Sequence, residues 1–308
     1  MADPARVGVV TVTYNSAPVL QEFMESMLRQ DYGDFLLYIV DNASSDETLR
    51  CLSRYEDQRI VILRNPVNSG VAEGNNIGIR AALQGGCSSV LLINNDTVFG
   101  PSLLSDLHSG LHQHECEMVV PKILYFDDPT IIWSAGGYLS WIRGSARHFG
   151  FDEKDSGKFD HDCEINYNPT CCMLIKREVF ERVGLMDAKY FVYFDDTDFC
   201  LRAHRAGMRL FYVAKAELLH KVGKLTGGSE SLFTIRYCTR NHVYYLLKHF
   251  TKWQAWGLLL AFQAHITLKY LLRGRNITVF FLAQRAFREG LELSVQQLST
   301  QDVITESA

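Results

Sequence analysis

The sequence predicts an α/β fold: a mostly parallel, Rossmann-like sheet with helices on both faces, continued by a helical extension at the carboxyl end. Three features predict it. Apolar runs of strand length alternate with helical stretches through the first half of the chain. Those runs are continuous, as in strands covered on both faces, instead of alternating with polar residues. From Tyr244 to Leu272 the text turns aromatic and leucine-rich and leaves the strand–helix alternation behind.

VGVVTVTY is the first strand, and Ala17 to Arg29 reads as the helix after it. FLLYIVD is the second strand and runs into the turn DNASSDET, where Ser44 and Glu47 have capping-box spacing for the next helix. IVILRN is the third strand. The polar stretch NPVNSGVAEGNN reads as a glycine-bearing loop, followed by a helix through Leu83, and SSVLLINND is the fourth strand. Much later, FDDTDFCLRAHRAG reads as a loop entering a helix that starts near Asp196 and stops at Gly207, a helix-end glycine. Within it, Asp198 and Arg202 are four apart and are expected to pair, at the surface or behind a site. LFYVAKAELLHKVG is strand-like and closes on His220.

The 308 residues suffice for one large or two modest domains, and we divide them into 1–243, halved near residue 120, and 244–308. A net charge of −4 gives no ground for a nucleic-acid partner. The eight cysteines form no CxxC pair, and MADPAR leads directly into a short apolar run without the pattern of a signal peptide. A reducing, cytoplasmic compartment is the expectation. In the late apolar stretch, Gln254, Gln263, His265 and Lys269 argue against a clean membrane span. The flanking Lys248, Lys252, Arg273 and Arg275 suit a helix lying in the interface of the inner membrane face. A packed appendage or a homodimer face fits the same text.

The informative polar residues stand at the carboxyl ends of the strands: Asn15, then Asp41 and Asn42, then Asn65 and Asn68, then Asp96. Open α/β sheets bind ligands at that edge. No GxGxxG marks the first turn, and GVAEGNNIG lacks both the spacing and the lysine of a phosphate loop. Amides and isolated acids suit a nucleotide base and ribose better. Asp41 is placed to accept the N3–H of a uracil or thymine, or else it caps the turn that follows.

VTVTYN, VDNASSDET, NSGVAEGNNIGI, LLINNDT and FDDTDFCLRAHRAG, in that order between Val7 and His220, resemble the successive blocks of glycosyltransferase family 2, inverting enzymes of the GT-A fold. The nearest likeness is to the rhamnosyltransferase-like branch that builds bacterial cell-surface polysaccharides. The resemblance implies a nucleotide-sugar donor held by Thr13, Asn15, Asp41, Asn65, Asn68, Gly70, Asn75 and Asn95. The family's acidic DXD motif falls on Asn94-Asn95-Asp96, so one acid survives. Asp96 is then the anchor for Mg²⁺ or Mn²⁺, an ion that completes its shell with waters and substrate phosphates. His220 is implied as a second ligand or a diphosphate contact. Lys221, Lys224 and LTGGSES are expected as a flap over the phosphates.

In YFVYFDDTDFCLR, Asp195 and Asp196 stand at a helix mouth beside Tyr190, Phe191, Tyr193 and Phe194. Crowded acids shielded by rings have raised pKa values, and a raised carboxylate is a better proton acceptor. In the resembling family this block is Glu-Asp with the second acid as base, which implies Asp196, with Asp195 as an orienting neighbour or the alternative base. Trp133, Trp141 and Gly136 suit stacking on a sugar ring and close backbone approach, or are ordinary core. Cys171 falls where relatives have a glycine and would narrow the acceptor side. The expected reaction is a single displacement on the donor by a glycan or polyprenyl-diphosphate-linked acceptor. It requires Asp96 and the Asp195–Asp196 pair to line one cleft. A sugar nucleotidyltransferase would need a basic triphosphate loop that VTVTYNSAP lacks; a noncatalytic sugar-binding protein would keep the rings without paired action of the acids.

Overall fold

The structure is a computed structural model that describes residues 6–223, 228, 230–272 and 277–306. The first strands and helices run β1 (Val7–Thr13), α1 (Ala17–Leu28), β2 (Phe35–Asp41), α2 (Thr48–Leu52), β3 (Ile60–Arg64), α3 (Gly70–Gln84) and β4 (Ser89–Ile93). There follow β5 (Thr97–Phe99), α4 (Leu103–Gln113), β6 (Met118–Tyr125), β7 (Ile132–Ser134), β8 (Gly137–Ser140), β9 (Ser145–His148), β10 (Cys163–Ile165) and β11 (Cys172–Lys176). Then come α5 (Arg177–Val183), a 3₁₀ turn (Ala188–Tyr190), α6 (Asp195–Arg205) and β12 (Leu210–His220). The carboxyl end is α7 (Leu232–His249), α8 (Lys252–Thr267), a π turn (Leu268–Leu272) and α9 (Ile277–Glu306).

The sheet has the order β10-β12-β6-β11-β4-β1-β2-β3. The pairs β3–β2, β2–β1, β1–β4 and β6–β12 are parallel. β11 lies antiparallel between β4 and β6, and β5, β7 and β10 also pair antiparallel. The mostly parallel sheet is therefore mixed in its second half. Its core is apolar: Val7, Val9, Leu37, Ile39, Leu91 and Ile93 from the strands meet Leu20, Phe23, Met24 and Leu107 from the helices. Each such side chain contributes roughly 1.5–3 kcal/mol by leaving water.

Two local expectations are corrected. The helix of NPVNSGVAEGNN begins at Gly70, so half of the expected loop is helix. Its glycines serve contact with the sheet: a Cβ on Gly74 would stand 2.8 Å from Val12 Cγ1, and one on Gly78 2.3 Å from Val10 Cγ1. The capping box at Ser44 and Glu47 does not form. Asp46 Oδ1 instead accepts the Thr48 N–H at 3.0 Å at the start of α2, while Ser44 Oγ accepts the Asn15 N–H at 2.9 Å.

The chain divides into two compact units. The first holds residues 1–139, 146–191 and 195–222; the second holds 140–145, 192–194 and 223–308. The boundary drawn from the sequence after residue 243 falls inside α7, a continuous helix. In the second unit, Asn241 is fully buried and its Nδ2 donates to the Val192 and Tyr193 carbonyls at 2.7 and 2.9 Å. Thr251 and Gln254 form a capping box that restarts the helix as α8. No helix is long and apolar enough to cross a membrane among the described residues.

Candidate active site

All the acids singled out above lie in the first unit. Strand register assembles one end of the site. β5 pairs with β12 so that Thr97 faces His220, which sets the preceding Asp96 beside the imidazole: His220 Nε2 is 3.3 Å from Asp96 Oδ1. The Lys221 N–H donates to the Asp96 carbonyl at 2.9 Å and fixes the crossing. β11 pairs with β4 so that Cys172 faces Ile93, and the Asn94 N–H donates to the Cys171 carbonyl at 2.9 Å. The buried Cys171 thiol thereby comes against His220. Burial opposes charge on the imidazole, but the Cys171 sulfur and the Asp96 carboxylate outweigh it and raise its pKa to about 10. Burial pushes the Cys171 thiol up, and the neighbouring His220 opposes this with a smaller effect.

His220 Nδ1 is buried and has no hydrogen-bond partner among the described residues. Nε2 is the nitrogen that faces the Asp96 carboxylate, so an ion shared with that carboxylate would take this edge of the ring in its neutral form. No third His, Cys, Asp or Glu completes a cluster among the described residues. Asp96 and His220 thus fit an ion whose other ligands are substrate oxygens and water.

Helix α6 carries the other end. Asp195 and Asp196 occupy its first turn, where exposed N–H groups favour negative charge. Asp195 is 4% exposed and its Oδ2 has no partner among the described residues. Asp196 is half-buried; Oδ1 accepts the Thr197 N–H at 2.6 Å and hydroxyl at 3.1 Å, and Oδ2 accepts the Tyr167 hydroxyl at 3.3 Å. Burial, reinforced for Asp195 by the Asp196 charge, raises both carboxyl pKa values. Asp198 pairs with Arg202 at 2.7 Å as expected, and the acid is fully buried, behind the site and not at the surface. Arg202 also donates to the Val183 and Leu185 carbonyls, so the pair anchors α6.

The aromatic approach to these acids is strained. Phe191, Tyr193 and Phe194 have φ of 67°, 63° and 65°, a region that costs L-residues about 1 kcal/mol or more each. For Phe191 the reason is visible: its carbonyl accepts the Val71 and Ala72 N–H groups at the start of α3, beside Gly70, whose own φ is 83°. A Cβ on Gly70 would stand 2.4 Å from that carbonyl. Gly70 therefore serves a chain crossing, and the first N–H groups of α3 are already satisfied.

Between the two ends runs a row of rings. Trp133 stands edge-on to His220 at 4.6 Å and to His148 at 4.9 Å, and His148 lies 5.7 Å from Tyr167. His148 Nδ1 is 3.1 Å from the Trp133 carbonyl, and burial lowers its pKa, leaving it neutral. Trp141 falls in the second unit, half-exposed and edge-on to Phe250. Gly136 turns the chain between β7 and β8 at φ 79°, and its carbonyl accepts the Phe149 N–H.

At the nucleotide edge, Asp41 accepts the Thr13 hydroxyl at 3.1 Å and the Ser44 N–H at 3.2 Å, which is the turn-holding role; a carboxylate keeps lone pairs for a further donor. Asn15, at φ 51°, accepts the Ser45 and Asp46 N–H groups. Asn65 Nδ2 donates to Asn42 and Ser69, and Asn68 accepts the Gly70 N–H. Asn95 Nδ2 ties β4 to β1 through the Val12 carbonyl at 2.6 Å, and Asn75 packs on Met186 Sδ at 3.8 Å. These amides mostly hold loops. Lys221 is buried and paired with Glu22, which ties it to α1 instead of leaving it in a flap. Lys224 and most of LTGGSES lie outside the described residues, as do Arg273 and Arg275. A separate hollow of about 420 Å³, lined by Ser89, His108, His112 and Lys176, sits at the amino end of β4 and gathers none of these groups.

Sequence reasoning missed Tyr167, His148 and Thr197. Tyr167 lies in INYNPT, which carries no acid or glycine signature, and only the fold sets its hydroxyl on Asp196.

The pattern of one protein family, described as Glycosyl transferase family 2, matches residues 8–184. The chain is 24% identical over 287 residues to an N-acetylglucosaminyl-diphospho-decaprenol L-rhamnosyltransferase of Mycobacterium tuberculosis, covering 86% of this chain and 94% of that protein. It is 22% identical to a dTDP-rhamnosyl transferase of Shigella flexneri, covering 71% of this chain and 70% of that one. Among solved structures, GalNAc-T7 with UDP, GalNAc and Mn²⁺ superposes with a TM-score of 0.62 at 16% identity, over 78% of this chain and 48% of the other, a likeness of fold.

Proposed function

The chain belongs to glycosyltransferase family 2, in its rhamnosyltransferase-like branch with the GT-A fold, and on that premise we propose an inverting sugar transfer. The donor is a nucleotide diphosphate sugar, dTDP-rhamnose or a UDP-hexose. The acceptor is a glycan or a polyprenyl-diphosphate-linked glycan of a cell-surface polysaccharide. One observation carries this reading: a single row of rings touches His220 at one end and Asp196 at the other.

Asp196 accepts the proton of the acceptor hydroxyl as that oxygen bonds to the anomeric carbon and the bond to the nucleotide diphosphate breaks. The partly exposed carboxylate has its Oδ1 held by Thr197 and its Oδ2 by the Tyr167 hydroxyl, and Oδ2 keeps a lone pair for the incoming hydroxyl. Asp195 holds a proton near neutrality because burial and the Asp196 charge oppose its ionisation, and so it leaves Asp196 as the charged partner. Asp96 and His220 would hold Mg²⁺ or Mn²⁺, and the ion would supply positive charge to offset that of a nucleotide diphosphate. Two relatives named for rhamnosyl transfer support the donor class, and one named for a decaprenol-linked substrate supports the acceptor class. Peripheral contact with the inner face of the cytoplasmic membrane belongs to the same reading, through an outward apolar row on α8.

Asp196→Asn should reduce transfer about a thousandfold or more, with dTDP or UDP binding by calorimetry unchanged. Ordinary turnover in that variant would remove Asp196 from the role. A binding screen of dTDP- and UDP-sugars, with and without Mn²⁺, then assigns the donor.

A further inference from the structure

We infer that Tyr167 is a positioning residue for the reaction, holding the Asp196 carboxylate in its proton-accepting orientation through the hydrogen bond to Oδ2. The inference rests on the reading of Asp196 as base. Tyr167 is buried at 5% exposure, and its seat is built from several sides. Its backbone forms an isolated bridge with Gly137, where a Cβ would stand 3.0 Å from the Tyr167 ring and 2.2 Å from the Arg147 carbonyl. The next residue, Asn168, is fully buried; its Oδ1 accepts the Ser134 hydroxyl at 3.3 Å and its carbonyl accepts the Cys200 thiol of α6 at 3.6 Å. On the preceding side, Asn166 Oδ1 accepts the Leu139 N–H at 2.8 Å. His148 packs on the ring. A phenol so fixed has few orientations, and its O–H is directed at the carboxylate.

The geometry divides the work on Asp196. Thr197 satisfies Oδ1 from within the helix, which fixes one oxygen but not rotation of the other. Tyr167 supplies the only contact to Oδ2 among the described residues, from a different element. Rotation of the carboxylate away from the acceptor is thereby opposed. A misplacement of about 1 Å at such a group costs about a hundredfold in rate. The hydrogen bond also favours the ionised form of Asp196. The other titratable or charged groups facing it are Asp195 beside it, Asp198 paired to Arg202 one turn on, and the Cys200 thiol.

The test is Tyr167→Phe, which keeps the ring and removes the donor. Turnover should fall about ten- to a hundredfold with the donor KM unchanged, and the acid limb of the kcat profile should move to higher pH. Placing 3-fluorotyrosine at position 167 makes a stronger donor of the same shape and should move that limb to lower pH. A Tyr167→Phe enzyme with wild-type kcat and limb overturns the inference, and so does a loss of kcat with the limb unmoved in both variants, which is the mark of packing alone. Asp196→Asn is measured alongside. If that variant turns over normally, the base reading itself has failed; if it is inactive while Tyr167→Phe is unaffected, only the positioning role falls.

Discussion

Asp195 is surrounded by features that oppose its charge: it is buried, one oxygen has no partner among the described residues, and Asp196 is its neighbour. Its folded-state pKa stands above the ordinary carboxyl value of 3.8, so the folded protein binds this proton more tightly than the unfolded chain. The resulting penalty on stability is absent below the unfolded pKa and grows as pH rises through the folded one. Asp195→Asn should therefore stabilise the protein by about 1–3 kcal/mol near pH 7.5 and change little near pH 4. Urea midpoints at the two pH values check this; equal gains at both would show that ionisation is not the cause. The acids themselves were legible because three carboxylates beside four rings ask for an explanation. The burial of Asp198 was not, because spacing reports the partner, Arg202, and not what lies over the pair. Tyr167 could not be read, since its partner lies 29 residues away and nothing local announces the contact.

Helix α3 shows what patterns can and cannot report about an element. Its glycines look like loop chemistry, so the sequence places its start several residues late. The packing explains why: Gly74 and Gly78 let the helix lie directly on Val12 and Val10 of β1, so residues that weaken an isolated helix are required by its neighbour. Gly78→Ala should destabilise the fold by about 1–3 kcal/mol, because its methyl group would press on Val10 within a packed layer. A methyl group on Gly257 in α8 would meet nothing within 4 Å, so Gly257→Ala should be neutral or stabilise by up to about 1 kcal/mol. Thermal denaturation of both variants separates a packing glycine from a spare one; equal effects would refute the distinction. By contrast β1 to β3 were legible to within a residue, since runs such as FLLYIVD need no partner information to be recognised, while β4 ends at Ile93, three residues short of the run SSVLLINND. The antiparallel placement of β11 was not, because strand direction depends on connections that apolar runs do not encode.

At the scale of the whole molecule, the carboxylates and rings of the candidate site lie in one compact unit and the late apolar text in the other. Composition announced that text without saying which of its residues face outward. In the run Leu258-Leu259-Leu260, Leu259 is buried and Leu260 is 70% exposed, a difference set by packing alone. Among the exposed residues of α8, Trp253, Trp256, Leu260 and Ala264 stand three or four apart and hence on one face, with Lys252, Gln254, Gly257, Ala261 and His265 also exposed around them. Ala255, Leu259 and Ile266 fill the opposite face. Trp253, 90% exposed, suits a membrane interface, where an indole meets acyl chains and headgroups together. The paired substitution Trp253→Ser and Trp256→Ser should lower sedimentation with anionic liposomes about tenfold or more, while donor hydrolysis in solution stays at the wild-type rate. Unchanged liposome binding would exclude this face as the contact. A variant that instead converts a dimer into a monomer in analytical ultracentrifugation would assign the row to a second copy of the chain. In either case the separation between surface contact and hydrolysis would hold, because the carboxylates and rings of the site belong to the other unit.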